Sequence, residues 1–406
     1  VASASRTSQR GLDWFTFFVA DIQTGFGPYL AVYLTTQKWN QADIGLLLAF
    51  GSIVGLLSQP PGGWLVDWVP SKRRTAAAAV IGVGVSALVI SVLPTYLGMM
   101  AATLLHVASS AVLGPAIAAI SLGLVGHAAI GPRLGRNTRY AAMGNGLAAA
   151  AMGAVGYFIS PQAVFFATAA LAIPTVLALS YIRNEEIDPV RADGGLDLAK
   201  SNRGAASVLD LLRKRPLIVF ALCIFLFQAA NAAMLPLVGS EMTLRSTQWA
   251  SVLIAACIVV PQLIAAALAP SIGRLAASIG RRPILLAGFA VLPLRTIVLA
   301  FNRDPASIML VQALDGVCGA VLGVLVPLVL ADISRGTGRF NLAQGMLACA
   351  TGLGAAASTA VAGYLAARFG TGAAFAGLAG AAALAFLAVL IAMQETMPPD
   401  QSTREP

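Results

Sequence analysis

The chain has 406 residues, 58% of them hydrophobic and only 11% charged, with a mean hydropathy of +0.81. A soluble domain carries roughly a quarter charged residues, so the composition excludes one and points to a bilayer. The net charge of +9 is not a nucleic-acid footprint, because the Lys and Arg residues sit in short loops between apolar runs.

Apolar runs of about 20 residues, each long enough for a hydrocarbon core of roughly 30 Å, predict twelve transmembrane helices. The first, near 12–35, is too long for the core of a cleavable signal and is expected to stay. It carries Asp21 about ten residues in, hence roughly 15 Å deep. Gln23 and Thr24 follow, and then Gly25, Gly27 and Pro28, residues able to interrupt a helix. An ionisable side chain at that depth costs at least about 2.5 kcal/mol and asks for a partner or for water. Asp21 therefore reads as a proton carrier or cation contact, against the plainer reading of an acid bonded to a neighbouring helix.

The second predicted span, 42–66, ends in Gly63-Trp64-Leu65-Val66-Asp67, and Lys72, Arg73 and Arg74 precede the third, 75–95. The fourth, 97–125, holds His106, which can carry a proton, bind substrate or make a helix–helix hydrogen bond. The fifth, 138–160, is rich in small residues suited to close packing, and the sixth covers 162–182. Residues 183–216 form the one long polar stretch and read as a linker, within which 205–214 fits a short amphipathic surface helix.

Spans seven to twelve fall near 217–238, 248–271, 283–301, 306–331, 342–364 and 372–393. Gln228 and Asn231 lie in the seventh, Arg295 in the ninth, and Gln312 and Asp315 in the tenth. Arg295 and Asp315 sit at similar depth and can pair; alternatively they face a substrate. Cys223, Cys257, Cys318 and Cys349 lie inside apolar runs at no metal-like spacing, so they read as small buried hydrophobes, with no metal site expected.

Placing the N-terminus inside assigns 21 of the 26 Lys and Arg residues to the cytoplasmic side, so both termini are expected there. The two halves also repeat. An offset of 210 lays Pro60 over Pro270 and Gly63 over Gly273, and one of 209 lays Ala111-Val112-Leu113-Gly114 over Ala320-Val321-Leu322-Gly323 and His106 over Asp315.

The Gly63–Asp67 stretch with Lys72, Arg73 and Arg74 resembles the loop between helices two and three of the major facilitator superfamily, and Gly273–Arg282 occupies the corresponding place in the second half. Trp68 and Pro70 depart from the family's Arg and Gly, and Ala277 stands where the second copy usually has an acid. The resemblance implies an all-α integral membrane fold of two pseudo-symmetric six-helix bundles, 1–182 and 217–406, joined by a cytoplasmic linker, 183–216. It also implies that Gly63, Asp67, Arg73 and Arg74 form a gate that breaks when the cytoplasmic side opens. Helices one, four, seven and ten line the cavity in that family. Asp21, Gln23, Thr24, His106, Gln228, Asn231, Gln312 and Asp315 are thus the expected substrate and proton contacts, with Arg295 beside them.

The function expected is secondary active transport of a small organic solute by alternating access, as proton-coupled export resembling that of drug and metabolite efflux members. The alternative is a proton-coupled symporter or uniporter for a charged metabolite or metal ion. No nucleotide-binding phosphate loop occurs, and neither H-E-x-x-H nor G-x-S-x-G is present, so an ATP-driven pump and a membrane enzyme are disfavoured. The chain is expected to act as a monomer in the inner membrane of a bacterium, with protons, substrate and lipid as partners, no nucleic acid and no cofactor.

Overall fold

The computed structural model describes residues 4–24, 27–195, 210–211, 213–245, 250–301 and 304–398, and among these it is all helix and loop. In chain order the helices are α1 (Arg6–Thr24), α2 (Gly27–Thr36), α3 (Gln41–Trp68), α4 (Lys72–Val92), α5 (Tyr96–Phe158) and α6 (Pro161–Ser180). A short α7 (Pro189–Ala192) follows. Then come α8 (Arg215–Asn231), α9 (Met234–Arg245), α10 (Ala250–Ile279), α11 (Arg282–Phe301), α12 (Pro305–Ile333), α13 (Phe340–Phe369) and α14 (Thr371–Ala392). The surface helix expected at 205–214 falls largely on residues outside those described.

Ten of the described helical segments are long and apolar enough to cross a membrane. The 63-residue α5 is two helices in one, since Gly126 breaks it with φ 69° and ψ 175°, a conformation that glycine adopts without a Cβ penalty. Prolines inside α3, α6, α10, α11 and α12 are tolerated because neighbouring helices can re-satisfy the freed carbonyls. Side chains such as Leu57, Leu97 and Ile391 are exposed, as a lipid-facing surface requires. The helices start where the sequence offers an acceptor: Asn40, Ser71, Thr95 and Ser160 each cap the helix that follows through the side-chain oxygen.

The chain forms two compact units. The first comprises residues 1–130, 140–205 and 334–346, and its core gathers Leu12, Phe15, Val80, Val83, Leu113, Ala116 and Leu179 where α1, α4, α5 and α6 meet. The second comprises 131–139, 206–333 and 347–406, with α10 packed on α12 and with α14 on α8 and α11. There the Phe227 and Phe289 rings meet edge to face at 4.9 Å. Each unit thus incorporates one short piece of the other half of the sequence, 334–346 in the first and 131–139 in the second.

Candidate functional site

Within the first unit, Asp21 is 6% exposed on α1, and its Oδ1 is enclosed with no hydrogen-bond partner among the described residues. Two residues on, Gln23 Nε2 donates to the carbonyl of Ser110 at 3.4 Å and ties α1 to α5. His106 lies one turn before Ser110 on the same face of α5 and is partly buried. Gly25 and the side chain of Thr24 lie outside the described residues.

In the second unit the expected ion pair is made, and it has a third member. Arg295 on α11 is 2% exposed; its Nη1 lies 2.6 Å from Asp315 Oδ1 on α12 and donates to Asn231 Oδ1 on α8 at 2.8 Å. The guanidinium is thereby neutralised inside the membrane, as a buried charge requires. Gln312, one turn from Asp315, is 2% exposed, with Nε2 unpartnered among the described residues. Gln228, one turn before Asn231, packs against α13, where a Cβ on Gly354 would come within 3.0 Å of the Gln228 Cβ.

The basic end of the first unit holds a latch. Helix α13 begins at Phe340, so the amides of its first turn have no helical acceptor. The Asp67 carboxylate supplies one: Oδ1 accepts from Asn341 N at 3.1 Å and Asn341 Nδ2 at 2.8 Å, and Oδ2 accepts from Leu342 N at 2.8 Å. An anion at a helix N-terminus also gains from the macrodipole. Backbone closeness accompanies the cap. A Cβ on Gly63 would run into the Asn341 carbonyl oxygen, and one on Gly345 into that of Gln59. Asn341 Nδ2 also reaches the Ala192 carbonyl at 3.2 Å, drawing in the linker.

No hydrogen bond or ion pair joins Asp67 to Arg73 or Arg74, its expected companions in the gate, among the described residues. Arg73 Nη1 donates to the Ile182 carbonyl at 2.7 Å, and Arg74 is exposed. The cation at the latch is Lys72. It is 1% exposed, lies 2.6 Å from Asp193 Oδ1 and donates to the carbonyls of Val66 at 2.5 Å and Val69 at 3.0 Å. Burial pushes the Asp193 carboxyl up to about 7, against the opposing pull of Lys72. Neither Asp193 nor Asn341 stands out in the sequence: one lies in a polar linker, the other at the start of an apolar helix. The 210-residue offset pairs Asn341 with Gly131 and Gly345 with Gly135, but equivalence between the halves does not say which helices cross, so these contacts carry no signal in the sequence.

The second unit contains the repeat-equivalent crossing. A Cβ on Gly273 would lie 2.5 Å from the Gly131 carbonyl oxygen, and one on Gly135 would lie 2.5 Å from that of Ala269. These are the Gly63–Asn341 and Gly345–Gln59 contacts displaced by 210 residues. The missing acid at Ala277 has a physical explanation: the helix after Gly126 already has a full turn behind it at Gly131, so no orphan amides await a cap there. Arg281, equivalent to Lys72 under the 209 offset, is likewise buried. It pairs with Asp332 at 2.8 Å and donates to the Ala276 carbonyl at 2.9 Å. Glu395 caps α11 by accepting from the amides of Arg281 at 2.9 Å and Arg282 at 3.0 Å. Burial raises its carboxyl, but these amides and those of Met397 and Thr396 outweigh that and hold it below the usual range.

Residues 10–377 match the family described as the MFS_1 like family. Among curated proteins, two uncharacterized MFS-type transporters of Mycobacterium tuberculosis, from strains CDC 1551 / Oshkosh and H37Rv, are each 37% identical over 401 residues. The alignment covers 97% of this chain and 95% of each relative. Among solved structures, the human organic anion transporter MFSD10 (TETRAN) superposes with a TM-score of 0.72 at 17% identity, covering 95% of this chain and 100% of that one, a likeness of fold.

Proposed function

The chain belongs to the MFS_1 like family of transporters, and on that premise we propose that it exports a small organic solute in exchange for protons by alternating access. Asp21 is the observation that carries proton coupling. An ionised carboxylate whose Oδ1 is enclosed with no hydrogen-bond partner among the described residues is costly in a membrane helix, and a bound proton removes that cost. Asp21 is then the group that is loaded from one side and discharged to the other, with Gln23 on α1 and His106 on α5 as further polar candidates.

The latch supports alternating access, since capping by Asp67 is a reversible set of hydrogen bonds at one membrane end rather than a hydrophobic core. With the basic end in the cytoplasm of a bacterium and both termini there, the latched state is the one closed to the cytoplasm. The halves 1–182 and 217–406 are the moving bodies, joined by 183–216. Arg295 already holds Asp315 and Asn231, which favours a neutral or cationic solute over an anionic metabolite.

The test is ethidium movement in proteoliposomes under an imposed pH gradient. The wild-type chain is expected to concentrate the dye only when the gradient has one sign, and Asp21→Asn to bind ethidium but no longer respond to the gradient. Gradient-driven accumulation by D21N would remove Asp21 from the proton path, and wild-type rates indifferent to the gradient would remove coupling altogether.

A further inference from the structure

The outward face of α1 carries a pattern that transport does not use. Arg6, Arg10, Trp14 and Phe18 follow one another at four-residue spacing and so share one face. They form one wall of a groove of about 690 Å³ in the first unit, whose other wall is Tyr181, Leu177 and Pro174 at the end of α6. Gly11 makes the floor, because it lets the helices touch: a Cβ there would lie 3.0 Å from the Ala178 carbonyl oxygen. The stripe is not core. Trp14 is 49% exposed, Tyr181 63% and Leu177 56%, while Leu12, Phe15 and Val19 of the same helix are buried.

Polarity changes in one direction along this groove. Two cations stand at the basic end, two amphipathic aromatic rings come next, and apolar side chains lie deepest, over roughly 18 Å of helix axis from Arg6 to Phe18. No carboxylate pairs with Arg6 or Arg10 among the described residues. Asp13 is 1% exposed among the core side chains of α1, and Glu186 is held by Ser5 N at 2.9 Å and Ser5 Oγ at 3.0 Å. The same gradient, from anionic phosphate through polar esters to hydrocarbon, is that of a membrane phospholipid.

We propose that the α1–α6 groove is a binding site for one anionic diacyl phospholipid. Arg6 and Arg10 hold the phosphate, Trp14 and Tyr181 flank the glycerol esters, and an acyl chain runs along Leu177, Pro174 and Phe18. Trp14 is braced for this by an edge contact with Tyr140 at 6.0 Å between ring centroids. The alternative occupant of so exposed an apolar wall is a second copy of the chain.

The experiment reconstitutes the full chain in nanodiscs of equimolar phosphatidylglycerol and phosphatidylcholine and counts retained lipid by native mass spectrometry after detergent extraction. A cation near an anionic surface contributes about a fivefold preference, so about one phosphatidylglycerol per chain is expected, favoured by about 25-fold. R6Q/R10Q should bring the preference close to one, R6K/R10K should keep most of it, and R213Q, an exposed cation elsewhere, should leave it unchanged. Thermal unfolding of each variant shows that the fold survives, and R6Q alone, with an expected loss of about fivefold, serves if the double variant does not fold. Equal retention of both lipids by the wild type overturns the proposal. So does undiminished selectivity in R6Q/R10Q, or a dimer that W14A dissociates.

Discussion

Replacing Asp67 with asparagine keeps the side chain's size and removes its charge at the latch. The introduced amide can turn its oxygen toward the backbone N–H and side chain of Asn341, but its NH2 group then faces the Leu342 amide, donor against donor. One charge-assisted hydrogen bond of 2.8 Å is lost outright, and the two that remain are no longer to an anion. Losing a hydrogen bond to a charged group costs about 1.5–3 kcal/mol, so opening of this helix start should become roughly 10- to 150-fold more frequent. Amide hydrogen exchange in a peptide covering 339–345 reports this directly, because the amides of Asn341 and Leu342 are themselves the donors. The expected result is faster exchange by that factor in D67N, with peptides from α14 unchanged. Protection of 339–345 equal to wild type would mean that Asp67 does not hold the start of α13.

Gly63→Ala forces a methyl group against the Asn341 backbone carbonyl, and overpacking of this kind costs about 1–3 kcal/mol; it should speed exchange in the same peptide while Gly45→Ala, where a Cβ meets open space, should not. Arg295→Met leaves Asn231 and the partly exposed Asp315 carboxylate facing an apolar side chain, and losing hydrogen bonds to a charged group costs about 1.5–3 kcal/mol. A clear fall in thermal stability is expected, largely restored in R295M/D315L, and an unchanged Tm for R295M would show the pair to be energetically idle. The Asp193 carboxyl, raised above its unfolded value by burial, contributes stability that is complete below about pH 4 and lost as pH rises through about 7. The 188–195 segment should therefore be better protected at pH 6 than at pH 8 once intrinsic exchange rates are corrected, with D193N removing the dependence. A slope of the opposite sign would show that the Lys72 ion pair, rather than burial, dominates this carboxyl.

Much of the membrane architecture was legible from local signals. Apolar runs mark where a helix can lie in hydrocarbon, and Ser71 or Asn40 before such a run supplies the cap that starts it. Asp67 stood out because an acid among apolar residues needs a compensating partner wherever the chain folds. Lys72 could not be told from Arg73 and Arg74 in the sequence, since every Lys or Arg in that loop satisfies the positive-inside rule equally. Only the depth of Lys72 beneath Asp193 separates it from its neighbours.

The amino-acid sequence by itself marked the apolar helical runs, the repeat offset between them and two charged groups, Asp67 and Arg295, that need polar partners, because hydrophobic length and repeat offset are properties read along the chain. Tertiary packing decided who those partners are: Asn341 lies 274 residues from Asp67, and Asn231 lies 64 from Arg295. A hydrogen bond demands directions and distances of about 3 Å, and these exist only once particular helices cross at particular glycines. The same crossing explains why an acid is present at Asp67 and absent at Ala277, a difference set by where the opposing helix begins.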